Sequence, residues 1–535
     1  MMKYLPLFTT LALIVVGCNQ KKPEADMAEA PEKLPVRWPH AVTYEIFVQS
    51  FYDSNGDGIG DFEGMTTKLD YLQDLGIEAI WLMPINPSPT YHKYDVTDYY
   101  GVHPDYGTMD QFKVFVAEAH KRDIKVVMDM VINHCSSEHP WFKAAQDPNS
   151  KYRDYFVWAD MEEIEAEGKL EKEATGDSDN THQWNEVEDQ EELYYAFFWS
   201  GMPDLNYDNP EVREEVYNVG KFWLQDVGVD GFRLDAAKHI YPDYRAEDNH
   251  AFWAEFKQKM ESYNPDVYLV GEVWADLDTQ QPFAVGFTGL FNFDLAFTVL
   301  ETVKNEQVVS ASIHESAWKV DQGSPIGMYN ESMEAFHAVN PEFVNTTFLT
   351  NHDQNRTMSF LDNDEQKARL AASILLTLPG APYLYYGEEI GMRGMKPDEQ
   401  IREPFLWSAE ADSGQTTWIE AEYSTPESVI PLDEQMKDSS SMYHHYRNLI
   451  HFRRKSEIMT YGTAEPKDLS DDELMGFIRR HNGKELLVIH NLSADVKRMA
   501  APGGFIRPVL STFDLKDEPK DGLDLPPYQS VILSK

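Results

Sequence analysis

The sequence predicts an α/β chain built as a closed (β/α)8 TIM barrel, with a small domain inserted after the third strand and an antiparallel β-sandwich domain at the C-terminus. Three observations carry this. Eight short β-rich apolar runs alternate with helical patterns over about 400 residues, the signature of repeated βα units. Polar and charged residues gather at the ends of those runs, where a barrel places its working groups. A chain of 535 residues, 42 % hydrophobic and 13 % aromatic, has enough apolar surface for more than one packed domain. An open doubly wound sheet would use the same alternation, but no glycine-rich phosphate turn follows the first run.

The elements follow in order. Lys3 precedes a mostly apolar run of fourteen residues, Tyr4 to Gly17. A bilayer-spanning helix needs about 20 apolar residues, so this run suits a secretory signal instead. It ends Val15-Val16-Gly17-Cys18, which is similar to the cleavage box of bacterial lipoproteins. Residues 1–18 are therefore expected to be a lipoprotein signal peptide with Cys18 as the lipidation site; an ordinary signal with an incidental cysteine is the other reading. Residues 19–37, rich in Lys, Glu, Ala and Pro, read as a flexible tether. Cys135 is the only other cysteine, which excludes a disulfide scaffold and reads as a small buried filler.

The barrel is expected over 38–133 and 210–455. Its strand runs are Val42–Phe51, Ala79–Met83, Lys125–Ile132, Val229–Leu234, Val267–Val270, Gly289–Phe293, Val344–Leu349 and Pro382–Tyr386. Helical patterns between them include Met109–Arg122, Glu211–Asp226, Asn249–Tyr263 and Asp364–Leu378. Residues 134–209 are too long for a loop and carry aromatic patches of their own, so they form the inserted domain. Its centre, Asp160 to Glu192, holds fourteen acidic residues against two lysines and reads as a solvated surface. Past 455 the pattern turns to alternation, as in Leu474–Arg479, Glu485–His490 and Gln529–Leu533, so 456–535 form the C-terminal β domain.

The net charge is −45. Nucleic acids are held by Lys/Arg contacts to phosphate, so they are excluded as partners, and a neutral substrate fits better. The strand ends supply chemistry for one. The third ends Asp129-Met130-Val131-Ile132-Asn133-His134, and the fourth Gly231-Phe232-Arg233-Leu234-Asp235-Ala236-Ala237-Lys238-His239. The fifth ends Gly271-Glu272-Val273-Trp274, and the seventh Asn351-His352-Asp353, while the loop after the second holds Tyr91-His92-Lys93-Tyr94-Asp95. Three carboxylates thus face one barrel mouth. Glycosidic bond cleavage with retention uses two carboxyl groups about 5–5.5 Å apart, one nucleophilic and one protonated. Equivalent positions on neighbouring strands start about 4.8 Å apart, so Asp235 and Glu272 are the candidate pair. Arg233 shares a strand face with Asp235 and would hold it ionised.

These strand-end segments, in this order, resemble the α-amylase family of glycoside hydrolases over residues 40–535. The resemblance implies Asp235 as nucleophile, Glu272 as general acid/base, and Asp353 as the acid that grips sugar hydroxyls and supports the transition state. It also implies sugar contacts from His92, His134, His352 and Arg233, and stacking by Tyr94. Lys238 and His239 fall on the leaving-group side, and Asp398 and Arg402 on the non-reducing side. Ala236 and the Lys238-His239 pair lean toward endo-acting α-1,4 cleavage of starch and maltooligosaccharides. An α-glucosidase or cyclomaltodextrinase/neopullulanase is the alternative, and a non-catalytic glycan-binding barrel a remote one. With the anchor, the chain resembles a surface starch-utilisation enzyme. It is expected to be exported, at the outer membrane, monomeric, near other starch-uptake proteins and touching membrane only through its lipid.

A last motif follows the first strand run: Asp53-Ser54-Asn55-Gly56-Asp57-Gly58-Ile59-Gly60-Asp61. Oxygen side chains at alternate positions suit a hard cation. It is not an EF-hand, because Gly64 stands where the bidentate Glu would be. The resemblance implies a structural Ca2+ held by Asp53, Asn55, Asp57, Asp61 and the Ile59 carbonyl; an ion-free turn is the other reading.

Overall fold

Eight parallel strands form the centre: β1 (Thr43–Ile46), β2 (Ala79–Leu82), β3 (Lys125–Met130), β4 (Gly231–Leu234), β5 (Tyr268–Gly271), β6 (Gly289–Leu290), β7 (Thr346–Thr347) and β8 (Ala381–Tyr385). They are seen in a computed structural model that describes residues 34, 36–166, 182–314, 317–409, 414–500, 503–515 and 522–535. The expected signal peptide, Cys18 and residues 19–33 of the tether lie outside the described residues, as does the middle of the acidic stretch. The sheet runs β7-β8-β1-β2-β3-β4-β5-β6 with every neighbouring pair parallel. A parallel bridge between Phe291 and Thr346 joins the last strand to the first, and Asn292 N–H donates to the Thr346 carbonyl at 3.1 Å. The sheet is a closed (β/α)8 barrel.

Strand residues are buried on both faces, as in a barrel filled inside and covered outside. Close strand contact fixes one glycine: a Cβ on Gly231 would stand 2.1 Å from the Tyr268 carbonyl oxygen. Three strands, β1, β6 and β7, cover less than half of their apolar runs, the first two for local reasons. After Ile46 the chain leaves the ladder for a 3-10 turn, Val48–Ser50, because Gly60 and Asp61 N–H groups draw back to the Gln49 and Tyr52 carbonyls at 3.0 Å. β6 stops at Leu290 because the Asn292 side chain caps the helix Phe293–Lys304 through Leu295 N–H. β7 is reduced to two residues. The Glu211–Asp226 pattern is α-helical only over Pro210–Lys221 and continues as a π turn, Phe222–Val227.

Between β3 and β4 sits a three-stranded antiparallel sheet, Trp158–Asp160, Glu192–Tyr195 and Trp184–Asn185 in spatial order. The bridge His134–Asp204, with Leu205 N–H donating to the Asn133 carbonyl at 3.0 Å and Tyr207 Oη to the Ile132 carbonyl at 2.5 Å, ties this insert to the end of β3.

The C-terminal part has strands β9 (Thr463–Pro466), β10 (Leu474–His481), β11 (Lys484–Asn491), β12 (Lys497–Met499), β13 (Arg507–Ser511), β14 (Leu523–Leu525) and β15 (Ser530–Ser534). They make an antiparallel sheet β9-β10-β11-β15-β13 and a separate antiparallel pair β12-β14, sharing a core that includes Leu487, Ile489, Leu523, Leu525 and Val531. Arg453 and Arg479, both buried, donate to the carbonyls of Leu376, Thr377 and Leu378, where helix Glu365–Thr377 ends. Cations at a helix C-terminus oppose its dipole, so this joint is electrostatically favourable.

Among the described residues no helix is long and apolar enough to cross a membrane. Leu34 is already buried, and Arg37, at the end of the expected tether, is tied to the body: its N–H donates to Glu78 at 2.7 Å and its guanidinium to the Arg454 carbonyl.

Candidate active site

The register of β3, β4 and β5 sets the site. Asp129 pairs with Arg233 and Leu234 with Gly271, so Asp235 and Glu272 leave their strands at the same level. Arg233, 1 % exposed, then reaches three acids. Its Nη1 donates to Asp129 Oδ1 and Oδ2 (2.9 and 3.0 Å) and to Asp235 Oδ1 (2.7 Å), and its Nη2 lies 2.7 Å from Glu272 Oε2. A planar guanidinium spans so little that these two contacts hold the Asp235 and Glu272 oxygens within about 8 Å of each other. Directly after Asp235 the backbone turns left-handed at Ala236, φ +48°, a conformation costly for a residue with a Cβ. Ala236 N–H points back to Glu272 Oε2 at 3.3 Å.

The third acid enters from the far side of the barrel. Asp353 follows β7, and its side chain is 42 % exposed, open toward the mouth. His352 Nε2 lies 3.0 Å from Asp353 Oδ2, and Arg402 Nη2 donates to Oδ1 at 2.9 Å. Arg402 also donates to the His352 carbonyl, Asp398 Oδ2 and Tyr91 Oη. Lys396 completes the pairing of Asp398.

These contacts divide the protons. Burial lifts the Glu272 carboxyl to about 8; Asp235 and Asp353 push the same way, against Arg233 and His352. Burial would also raise Asp353, but His352 and Arg402 outweigh it and hold that carboxyl well below the usual range. Burial alone would discharge His352, yet Asp353 and Glu45 lift it to about 10, so the ring is an imidazolium. It reaches Glu45 through Nδ1 at 2.5 Å. The site therefore sets a protonated Glu272 against an ionised Asp353, the kind of division that acid-assisted bond cleavage needs.

The aromatic and histidine positions divide into three groups. Tyr94 lies parallel to His352 (5.6 Å, 13°), accepts from its Nε2 at 2.6 Å and donates to Asp129 Oδ2 at 3.1 Å. His92 Nδ1 accepts from Tyr94 N–H, so Nε2 carries the proton and has no hydrogen-bond partner among the described residues. His134 is turned inward, 1 % exposed, with Nε2 donating to the Tyr94 carbonyl and Nδ1 accepting from Asn133 Nδ2. Both of its ring nitrogens are thus engaged by protein. Lys238 Nζ lies 3.3 Å from Asp243, and His239 stacks on Phe197 at 3.9 Å, on the wall made by the insert.

Asp129, Glu45 and Tyr91 were not singled out from sequence. Asp129 lies at the end of the third strand run, and its even spacing from the barrel-facing residues of β3 is the signal that could have found it. Glu45 on β1 and Tyr91 in the loop after β2 gain their roles only when His352 and Arg402, beyond the ends of β7 and β8, reach them.

The loop after β1 is closed by its own amides. Asp53 Oδ1 accepts from Asn55 and Gly56 N–H (2.9 and 2.6 Å) and Oδ2 from Gly58 N–H (2.7 Å). Asn55 and Asp57 each accept from the amide two residues on, at 2.9 Å. Asp61 caps the helix Phe62–Thr67 through Gly64 N–H and binds Ser54. All donors to an ion here would be hard oxygens, which fits Ca2+. Among the described residues, however, no three Asp, Glu, His or Cys side chains converge as a metal-holding group.

Comparison with known proteins agrees with this geometry. The family model described as the alpha-amylase catalytic domain matches residues 45–462, and that of the C-terminal domain of the alpha-amylase SusG matches 474–532. Alpha-amylase 3 of Dictyoglomus thermophilum is 44 % identical over 461 residues, 85 % of either chain. A 4-alpha-glucanotransferase of Thermotoga neapolitana is 35 % identical, covering 84 % of this chain and 96 % of its own. The crystal structure of an alpha-amylase from H. orenii superposes with a TM-score of 0.82 at 41 % identity, over 93 % of this chain and 99 % of that one.

Proposed function

The chain belongs to the α-amylase family of glycoside hydrolases, and from that premise we propose that it is a retaining, endo-acting hydrolase of α-1,4-glucosidic bonds in starch and maltooligosaccharides. The observation that carries the proposal is Arg233 holding both Asp235 and Glu272 at 2.7 Å, with the Glu272 carboxyl kept protonated by its burial.

In this reading the Asp235 carboxylate attacks the anomeric carbon as the bond to the leaving oxygen breaks, and the Glu272 proton passes to that oxygen. A glycosyl ester on Asp235 results. Water then loses its proton to the Glu272 carboxylate and attacks the same carbon; the ester breaks, and both acids return to their starting states. Asp353, fixed by His352 and Arg402 through both oxygens, stays ionised and offers the exposed side of its carboxylate to sugar hydroxyls and to positive charge at the transition state. His92, with its Nε2 proton free, is a further sugar donor.

Two choices within the family are part of the proposal. The small Ala236 leaves room beside the nucleophile for a linear chain to continue, which supports endo action. A relative named as a glucanotransferase supports a second reading, in which a sugar hydroxyl replaces water in the second step. Purified enzyme on soluble starch separates them: endo hydrolysis drops viscosity early while reducing ends rise. Glucose release without viscosity loss, or longer oligosaccharides from maltotriose with no new reducing ends, would overturn it.

Calcium at residues 53–61 is proposed as structural, tying the loop together rather than acting on substrate. Lipidation at Cys18 and attachment at the outer membrane are proposed from the Val15–Cys18 segment alone.

A further inference from the structure

The insert places one large aromatic ring beside the site with nothing stacked upon it. Trp199 is 46 % exposed, whereas the other tryptophans are buried or half-buried, and among the described residues no ring or hydrogen-bond partner engages its indole. Its position is fixed from below. A Cβ on Gly201 would fall 2.2 Å from Trp199 Cζ2 and Cη2, so the indole lies on the Gly201 Cα where a side chain would otherwise stand. The turn that carries it is pinned at three points. Met202 N–H donates to the Trp199 carbonyl at 2.8 Å, Ser137 N–H to the Gly201 carbonyl at 2.8 Å, and Tyr194 Oη to the Ser200 carbonyl at 2.8 Å.

The same turn reaches the cleft wall. Phe198, the preceding residue, sets its ring 5.3 Å from His134 and 5.8 Å from His239. In the barrel order these lie at the ends of β3 and β4, four strands away from β7 and β8, whose ends carry Asp353 and lead to Arg402. A glucan crossing the mouth from the Arg402 side would meet Trp199 as it leaves over the insert.

We propose that Trp199 is a stacking platform for a glucosyl ring of the bound chain, beyond the units that flank the scissile bond. The ligand class is an α-glucan long enough to span from the acids to the insert, and a short aryl maltoside does not use this contact to the same extent. Pyranose rings have an apolar face that a flat, pre-set aromatic surface desolvates, and no order is lost on binding when the ring is already fixed. This inference rests on the glucan-hydrolase reading above.

The test compares maltoheptaose with 4-nitrophenyl α-maltoside in wild type, Trp199→Ala, Trp199→Phe and Gly201→Ala. The ratio of kcat/KM for the long substrate over the short one should fall about tenfold in Trp199→Ala, the size of one aromatic contact. Trp199→Phe should keep most of the ratio. Gly201→Ala, which retains the indole but pushes it off its seat, should lose it as Trp199→Ala does. An unchanged ratio in Trp199→Ala, with active wild type, would overturn the platform and leave the hydrolase reading standing. A wild type that cleaves neither substrate would overturn that reading instead.

Discussion

Arg233 carries one positive charge and faces three carboxyl groups in a pocket largely closed to solvent. Three anions and one buried cation are not stable together, so protons stay where burial is deepest and compensation poorest. That is why Glu272 is lifted to about 8 and Asp129 to about 7, while Asp353, served by His352 and Arg402, is pushed down. The consequence is measurable. Glu272 must enter the first step protonated, so kcat/KM should fall as pH rises through about 8, where burial sets this carboxyl in the free enzyme. A pH profile on maltoheptaose checks this; loss of activity from about pH 5 upward, where an ordinary carboxyl has discharged its proton, would contradict it. Arg233 and Asp235 were legible in the sequence because they share one strand and are two residues apart. Asp129 and Tyr94 were harder: their link is a hydrogen bond between a β3 side chain and a loop after β2, and only register sets it.

The elements carry two separate tests. After β8 the chain enters a short turn, Glu388–Ile390, whose Glu388 is 6 % exposed and accepts from Tyr446 Oη at 2.8 Å, from the helix Met442–Lys455. Burial lifts this carboxyl from 4.5 to about 8, with neighbouring Glu389 adding to the effect. An unfolded glutamate ionises above about 4.5. The folded one holds its proton until about 8, so the wild type loses stability over that window. Glu388→Gln keeps an acceptor for Tyr446 and has no proton to lose. Its melting temperature relative to wild type should therefore rise by a few degrees between pH 5 and pH 8. A constant difference would contradict the buried, protonated state. The 53–61 loop is the second case. If calcium ties it, EDTA should lower the melting temperature and added Ca2+ restore it, whereas an unchanged melt would leave the turn to its own amides. Sequence reading found this loop by its alternating oxygens, but not that backbone amides already satisfy Asp53. It found the β6 and β7 runs and not their ends, since the Asn292 cap competes with the ladder for the same residues.

At the scale of the molecule, the barrel is what brings together acids that are 37 and 118 residues from Asp235 along the chain, Glu272 and Asp353. The alternation of runs was enough to predict that closure, because eight βα units have few other ways to bury both sheet faces. The buried joint with the C-terminal sheets was not legible, since Arg453 and Arg479 look like surface residues until the end of helix Glu365–Thr377 lies against them. The N-terminus makes its own prediction. Expressed as the full chain in a bacterium with a lipoprotein pathway, the protein should incorporate labelled palmitate and partition into detergent. Cys18→Ser should abolish both, and an unlabelled wild type would refute the anchor.

The central claim is that Asp235 and Glu272 act as a pair in double displacement. It is tested most directly by treating the Glu272→Gln variant with α-maltosyl fluoride, whose leaving group needs little acid help, and mapping the product by peptide mass spectrometry. The account predicts a maltosyl ester on the peptide containing Asp235 that disappears when Asp235 is replaced by Asn. An adduct on another residue, or turnover that gives inverted β-maltose with no adduct, would contradict it.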